Sequence, residues 1–324
     1  MGGILLAVGA PRNRRLKSLY LLCCRFRSLP RGMPIYRLVA ILIDASHLKQ
    51  FWPSINLVSD YVIMPFMIKK TRKLIVGNWK MNPLSLEEVK EITDAVKRTI
   101  KKTKQVTAVL CPPAVFLAEV TRAVQNTKDV YTGGQNTFTE AQGSFTGEVS
   151  PMMLASVGAG YVIIGHSERR KMGETDEQIS AKVRLALEAG LSVIVCVGES
   201  VRDAQVKYLE VVSGQIKSAF AGVTVKQLPQ MIVAYEPVWA IGKDSKGPMT
   251  PRDLYEMTIF IKKVLSELYE QKIAMKTQIL YGGSVNAETS AGLVKEGEVS
   301  GLLVGRESIN PEGFAGILRA VDAL

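Results

Sequence analysis

The sequence predicts an α/β protein whose body is a (β/α)8 barrel, eight parallel strands with outer helices, over residues 67–324. Three observations carry this prediction. Eight short apolar runs rich in Val and Ile recur along the chain, nearly continuous rather than alternating, as parallel strands covered on both faces require. Between them lie segments with apolar residues at helical spacing and polar capping residues at their starts. The stretch that holds them matches the ~250 residues such a barrel needs, and no G-x-G-x-x-G follows the first run to favour a doubly wound sheet.

In chain order the runs are Leu74–Gly77, Val106–Leu110, Val130–Gly133, Tyr161–Ile164, Val193–Val197, Met231–Ala234, Gln278–Tyr281 and Gly301–Val304. Their length and β-branched content favour strands over buried helix. Ser85 with Glu88 forms a capping box ahead of Leu86, Val89, Ile92, Val96 and Ile100 on one stripe. Thr175 with Gln178 repeats the device, with Ile179, Val183 and Leu187 facing inward and Gly190 just past the end. Thr250, Pro251 and Asp253 supply a cap, a first-turn proline and an acid at the third position. Leu254, Met257, Ile261, Val264 and Leu268 continue from there at helical spacing.

With 47% hydrophobic and 22% charged residues, the chain has the composition of a globular protein able to bury a core. No window of about 18 uncharged apolar residues is present, which argues against a spanning helix. Most of the net charge of +11 belongs to residues 1–66, where nine Lys/Arg face only Asp44 and Asp60. The basic balance therefore says little of the body, and neither a nucleic-acid nor a membrane partner is expected for the barrel. Apolar stretches in this first segment, Leu38–Ile43 among them, are broken by Pro11, Pro30, Pro34, Pro53 and Pro65 without a sustained period. Three readings of it stand: a disordered stretch upstream of a true start at Met67, an Arg-rich organellar presequence, or a tail that binds membrane or nucleic acid. The four cysteines show no metal-ligand spacing. Cys111 and Cys196 fall inside apolar runs, where a free thiol behaves as a small hydrophobe, and they point to a reducing, cytoplasmic setting.

Polar residues gather where the runs end, and in a barrel of this kind catalytic groups belong on the loops after the strands. The first run ends in Asn78-Trp79-Lys80, the third in Gln135-Asn136, and the fourth in His166-Ser167-Glu168. Glu199 follows the fifth, Glu236 the sixth, Gly282-Gly283-Ser284 the seventh and Gly305-Arg306 the eighth. One mouth thus collects a lysine, an imidazole, several carboxylates and two glycine-bearing loops of the sort that bind phosphate through backbone N–H groups.

Four of these segments carry a specific resemblance. Asn78-Trp79-Lys80-Met81-Asn82, Gly165-His166-Ser167-Glu168-Arg169-Arg170, Ala234-Tyr235-Glu236-Pro237-Val238-Trp239-Ala240-Ile241-Gly242 and Tyr281-Gly282-Gly283-Ser284-Val285 resemble the triosephosphate isomerase family in order and spacing. The resemblance runs from about Lys73 to the C-terminus. It implies a TIM barrel that interconverts dihydroxyacetone phosphate and glyceraldehyde 3-phosphate through an enediolate. Glu236 would be the base that moves the carbon-bound proton, as positioned carboxylates do. His166 would act as a neutral hydrogen-bond donor, and Lys80 would supply fixed positive charge to phosphate and oxyanion. Asn78 would orient the substrate. Gly242, Ser284, Gly305 and Arg306 would complete the phosphate cradle. Glu168 and Glu199 would hold Lys80 and the neighbouring loops, and Pro237 to about Pro251 would form a lid that excludes water.

By the same resemblance the loop Gln135–Glu148 inserts into a second subunit, giving a homodimer with Thr146 near Asn78 of the partner subunit and Glu148 near Arg169 of the partner subunit. No metal or organic cofactor is expected, because this proton transfer demands neither. Two departures from the family stand out. Its lid continues Gly-Thr-Gly-Lys, whereas here the longer Gly242-Lys243-Asp244-Ser245-Lys246-Gly247-Pro248 appears. A second glycine is usual after the eighth strand, where Arg306 stands and must adopt a conformation that an L-residue can hold. Two alternatives remain open: another sugar-phosphate barrel enzyme, which would not predict Lys80, His166 and Glu236 together, and a catalytically impaired scaffold, which should have lost one of them.

Overall fold

The continuous apolar runs conceal a two-residue alternation, and that alternation builds the barrel. The computed structural model describes residues 72–203, 205–240 and 249–324, together with four short strands nearer the N-terminus. Each predicted run falls on a strand to within one residue at either end: β1 (Lys73–Asn78), β2 (Val106–Cys111), β3 (Val130–Gly134), β4 (Tyr161–Ile164), β5 (Ser192–Val197), β6 (Met231–Tyr235), β7 (Gln278–Tyr281) and β8 (Gly301–Val304). All neighbours are parallel and follow one another in chain order. The ring closes where β8 pairs with β1, from Gly301 opposite Leu74 to Val304 opposite Gly77.

Because successive side chains of a strand point to opposite faces, each strand serves two cores. Leu74, Val76, Val109, Ile163, Ile194, Ile232, Leu280 and Leu303 fill the barrel interior in a small cluster of their own. Ile75, Val162, Val193, Val233 and Leu302 turn outward and pack with the helices in the larger core. Phe314, on the last helix Pro311–Asp322, is fully buried there; its ring lies so close under β1 that a Cβ at Gly77 would come within 3.2 Å of it. Truncating such a side chain to alanine costs about 3–5 kcal/mol. The inward rows also explain the site. Leu74 and Val76 are followed on the same face by Asn78, and Ile232 and Ala234 by Glu236, so the polar mouth continues the apolar interior.

The helices begin as the sequence directs. Capping boxes join Ser85 with Glu88 at Leu86–Ile100 and Thr175 with Gln178 at Asp176–Glu188. Thr250 accepts from the Asp253 N–H, with Pro251 in the first turn of Pro251–Leu268. Each such cap contributes about 1 kcal/mol.

The chain divides into two units, Met1–Thr71 and Arg72–Leu324. In the first, strands Ile4–Leu6, Leu19–Cys23, Val39–Asp44 and Tyr61–Phe66 pair antiparallel in that order. The apolar stretch Leu38–Ile43 noted in the sequence overlaps the third of these strands. Among the described residues no helix is long and apolar enough to cross a membrane.

Candidate active site

The side chains at the strand ends converge on one cavity of about 280 Å³, and Asn78, Lys80, His166, Glu236, Ser284, Gly305 and Arg306 all line it. Glu236 is 2% exposed. One of its carboxylate oxygens, Oε2, accepts the backbone N–H of Ser167 at 2.9 Å, and the other, Oε1, lies 3.1 Å from His166 Nε2. Two glycines make room for it: a Cβ at Gly198 would collide with the Glu236 carbonyl, and one at Gly282 would lie 2.8 Å from Glu236 Cγ.

The geometry fixes the tautomer of His166. The residue caps the short helix Ser167–Lys171, and its Nδ1 accepts the backbone N–H of Glu168 at 3.2 Å. A ring nitrogen that accepts a hydrogen bond carries no proton, so the proton of the neutral imidazole sits on Nε2 and is donated toward Glu236. The buried ring is therefore a neutral donor pointing at the cavity.

Lys80 lies two residues beyond the last inward position of β1, with the backbone in the left-handed region (φ 54°). Its own N–H donates to Asn78 Oδ1 at 3.1 Å, and its carbonyl accepts from Gln135 Nε2 at 2.8 Å. Gln135 also donates to the Cys111 carbonyl, so β2 and the loop after β3 together hold a strained residue in place. The Lys80 ammonium donates to Glu168 Oε1 at 2.7 Å. Partial burial works to raise the Glu168 carboxyl, but the adjacent Lys80 ammonium outweighs it and holds the group below its usual range.

Glu199 is just as buried but does not line the cavity. It accepts from the Tyr235 hydroxyl at 2.9 Å, from Trp239 Nε1 at 2.8 Å and from Arg202 Nε at 3.3 Å. It thereby anchors the loop after β5 to the short turn Val238–Ala240 that leaves β6. Burial pushes the Tyr235 hydroxyl up, and the neighbouring Glu199 carboxylate adds to the effect.

On the remaining side, Ser284 Oγ donates to the Ala240 carbonyl at 3.1 Å. Gly305 precedes the turn Arg306–Ile309, and Ser308 Oγ reaches back to the Asn78 carbonyl at 3.1 Å. Arg306 opens that turn with a negative φ, so the conformation demanded of it is an ordinary one for an L-residue. Gly242 and the centre of the predicted lid lie outside the described residues. Thr146 and Glu148 are exposed. Arg169 stands beside the carboxylate of Glu174, and with Glu148 it lines a separate groove of about 400 Å³ that also touches Lys80. Sequence reading passed over Ser167 as a donor to Glu236 and Ser308 as a brace for Asn78. The position of Ser167 directly after a histidine at a helix start was the one signal available for either.

A closed parallel barrel that brings a neutral imidazole, a buried carboxylate and a lysine to the carboxyl ends of its strands is the arrangement of a barrel enzyme working by acid–base chemistry. The model of the family described as triosephosphate isomerase matches residues 73–321. The chain belongs to that family, and its barrel is that of an isomerase.

Proposed function

We propose that the protein interconverts dihydroxyacetone phosphate and D-glyceraldehyde 3-phosphate, with Glu236 carrying the proton between adjacent carbons. The observation that supports this reading best is the Glu236–His166 pair at 3.1 Å. A base and a neutral N–H donor share one wall of the cavity, close enough to act on a single hydroxy-carbonyl unit.

In this reading Glu236 removes the proton from the carbon next to the carbonyl, and negative charge develops on the carbonyl oxygen. His166 shifts its Nε2–H from Glu236 to that oxygen. Lys80 adds positive charge, and preorganised donors of this kind stabilise an oxyanion without reorganising. Glu236 then returns the proton to the neighbouring carbon, while the hydroxyl of the first carbon gives up its proton and the oxyanion gains one through His166, so that carbonyl and hydroxyl exchange places. The loops at Ser284 and Gly305 would hold the phosphate, with Gly242 joining them from the lid. Every step uses side chains of this chain, so the reaction needs no added cofactor.

A homodimer belongs to the same proposal. Met81 and Val115 are more than 80% exposed, and Phe145 is 44% exposed. Met81 and Glu148 line the groove beside Lys80, so a loop like 135–148 from a second subunit, carrying its own Phe145, would brace the lysine while covering Met81. The role in central sugar metabolism, glycolysis or gluconeogenesis, and a cytoplasmic location are proposed with it.

A coupled assay on glyceraldehyde 3-phosphate with the full chain tests the activity. Rapid turnover that collapses in Glu236→Asp supports the reading. A folded parent with no turnover would overturn it. Sedimentation analysis of the same sample tests the dimer.

A further inference from the structure

Two cationic side chains line the mouth cavity, and they are differently committed. The Lys80 ammonium is paired with Glu168 at 2.7 Å. His166 contributes no charge, because its hydrogen bonds fix the neutral form. Arg306 is exposed on the cavity wall next to Gly305 and forms no ion pair among the described residues. The other charged residue of its turn, Glu307, also lines the cavity, but its carboxylate lies against Gly313 at the start of the last helix and forms no ion pair with Arg306. Among the described residues Arg306 is thus the positive charge of the cavity without an ion-pair partner.

We infer that the Arg306 guanidinium is a direct ligand for the phosphate dianion of the substrate and a determinant of specificity for it. This rests on the triose-phosphate reading above. Backbone N–H groups in the adjoining loops give direction but no net charge. A guanidinium adds a full charge and a fork of donors that matches phosphate oxygens. Its backbone N–H also stays available, since the turn begins at this residue without left-handed strain. The side chain can therefore contribute without disturbing a cradle made by the main chain. An exposed charge of this kind attracts a dianion more than a monoanion, and salt weakens it.

The test uses the full chain, Arg306→Gly and Arg306→Lys, with inorganic phosphate as probe. Affinity is measured by calorimetric titration at low and high salt, and KM and kcat are measured with triose phosphate. Arg306→Gly should weaken inorganic phosphate about tenfold at low salt and raise KM by a similar factor, with kcat little changed. Arg306→Lys should recover part of that loss, and the variants should converge at high salt. An Arg306→Gly protein that binds phosphate as tightly as the parent at low salt overturns the inference while leaving the isomerase reading intact. A parent that neither binds phosphate nor turns over triose phosphate overturns the isomerase reading as well.

Discussion

Glu199 and Glu236 follow adjacent strands and are almost equally buried, at 1% and 2% exposure, yet their surroundings make them different groups. Glu199 is enclosed by three side-chain donors, from Tyr235, Trp239 and Arg202. Glu236 receives one backbone N–H and one imidazole nitrogen, has the buried Cys196 thiol beside it, and lines the cavity. A carboxylate saturated by donors on its own scaffold is a fixed anchor. One held by two donors beside open space can exchange a partner and accept a proton. Burial alone does not mark a catalytic acid or base; the donor set does.

The comparison breaks if the two residues respond alike to substitution. Glu236→Gln should lower kcat by about 10²–10⁴-fold while leaving the melting temperature near that of the parent, because the amide keeps the shape and loses the basicity. His166→Ala, which removes the donor opposite Glu236, should cost about 10²–10³-fold in kcat in the same coupled assay. Glu199→Ala should behave in the opposite sense. It strands the Tyr235 hydroxyl, the Trp239 indole N–H and the Arg202 charge, so calorimetry should show a loss of about 3 kcal/mol or more. Its kcat should fall less than that of Glu236→Gln. A Glu199 variant that melts normally and turns over as poorly as Glu236→Gln would sink the distinction.

The smallest effect concerns Glu168. Its folded carboxyl is held below the ordinary value of 4.5, so its contribution is present above that value and lost as pH falls through the lower folded one. Half of the side chain is exposed, which limits that contribution to a few tenths of a kcal/mol. Chemical denaturation from pH 6 down to pH 3 should show Glu168→Gln losing less stability than the parent over the acid end. Parallel curves would show that the Lys80 pair contributes nothing measurable.

Much of the site was legible because a barrel brings strand ends together whatever their separation in sequence. Asn78, His166, Glu236, Ser284 and Gly305 could each be placed by counting from the end of an apolar run, and one cavity receives them all. Partnerships were legible only through the family resemblance. It implied that Glu168 holds Lys80, and the two meet across 88 residues, although nothing in either local sequence says so. Glu199 was grouped in the sequence with the support of Lys80 and the neighbouring loops; its contacts are with Tyr235, Trp239 and Arg202. The tautomer of His166 depended on a single backbone N–H of the next helical turn. Sequence reading also left open how Arg306 could occupy a position where glycine is usual, and the turn answers it with ordinary backbone angles.

The sequence by itself determined the eight strands, the capped helix starts and which residues stand at the mouth. These follow from short-range rules: β-branched runs, helical spacing, and hydroxyl or acid side chains that satisfy free N–H groups. Only the tertiary structure decided which carboxylate is anchored and which faces the cavity, where the left-handed Lys80 is braced, and which cation of the cavity has no ion-pair partner among the described residues. Those outcomes depend on donors and charges brought within about 3 Å by closure of the ring, a distance at which hydrogen bonds form and which no local pattern encodes.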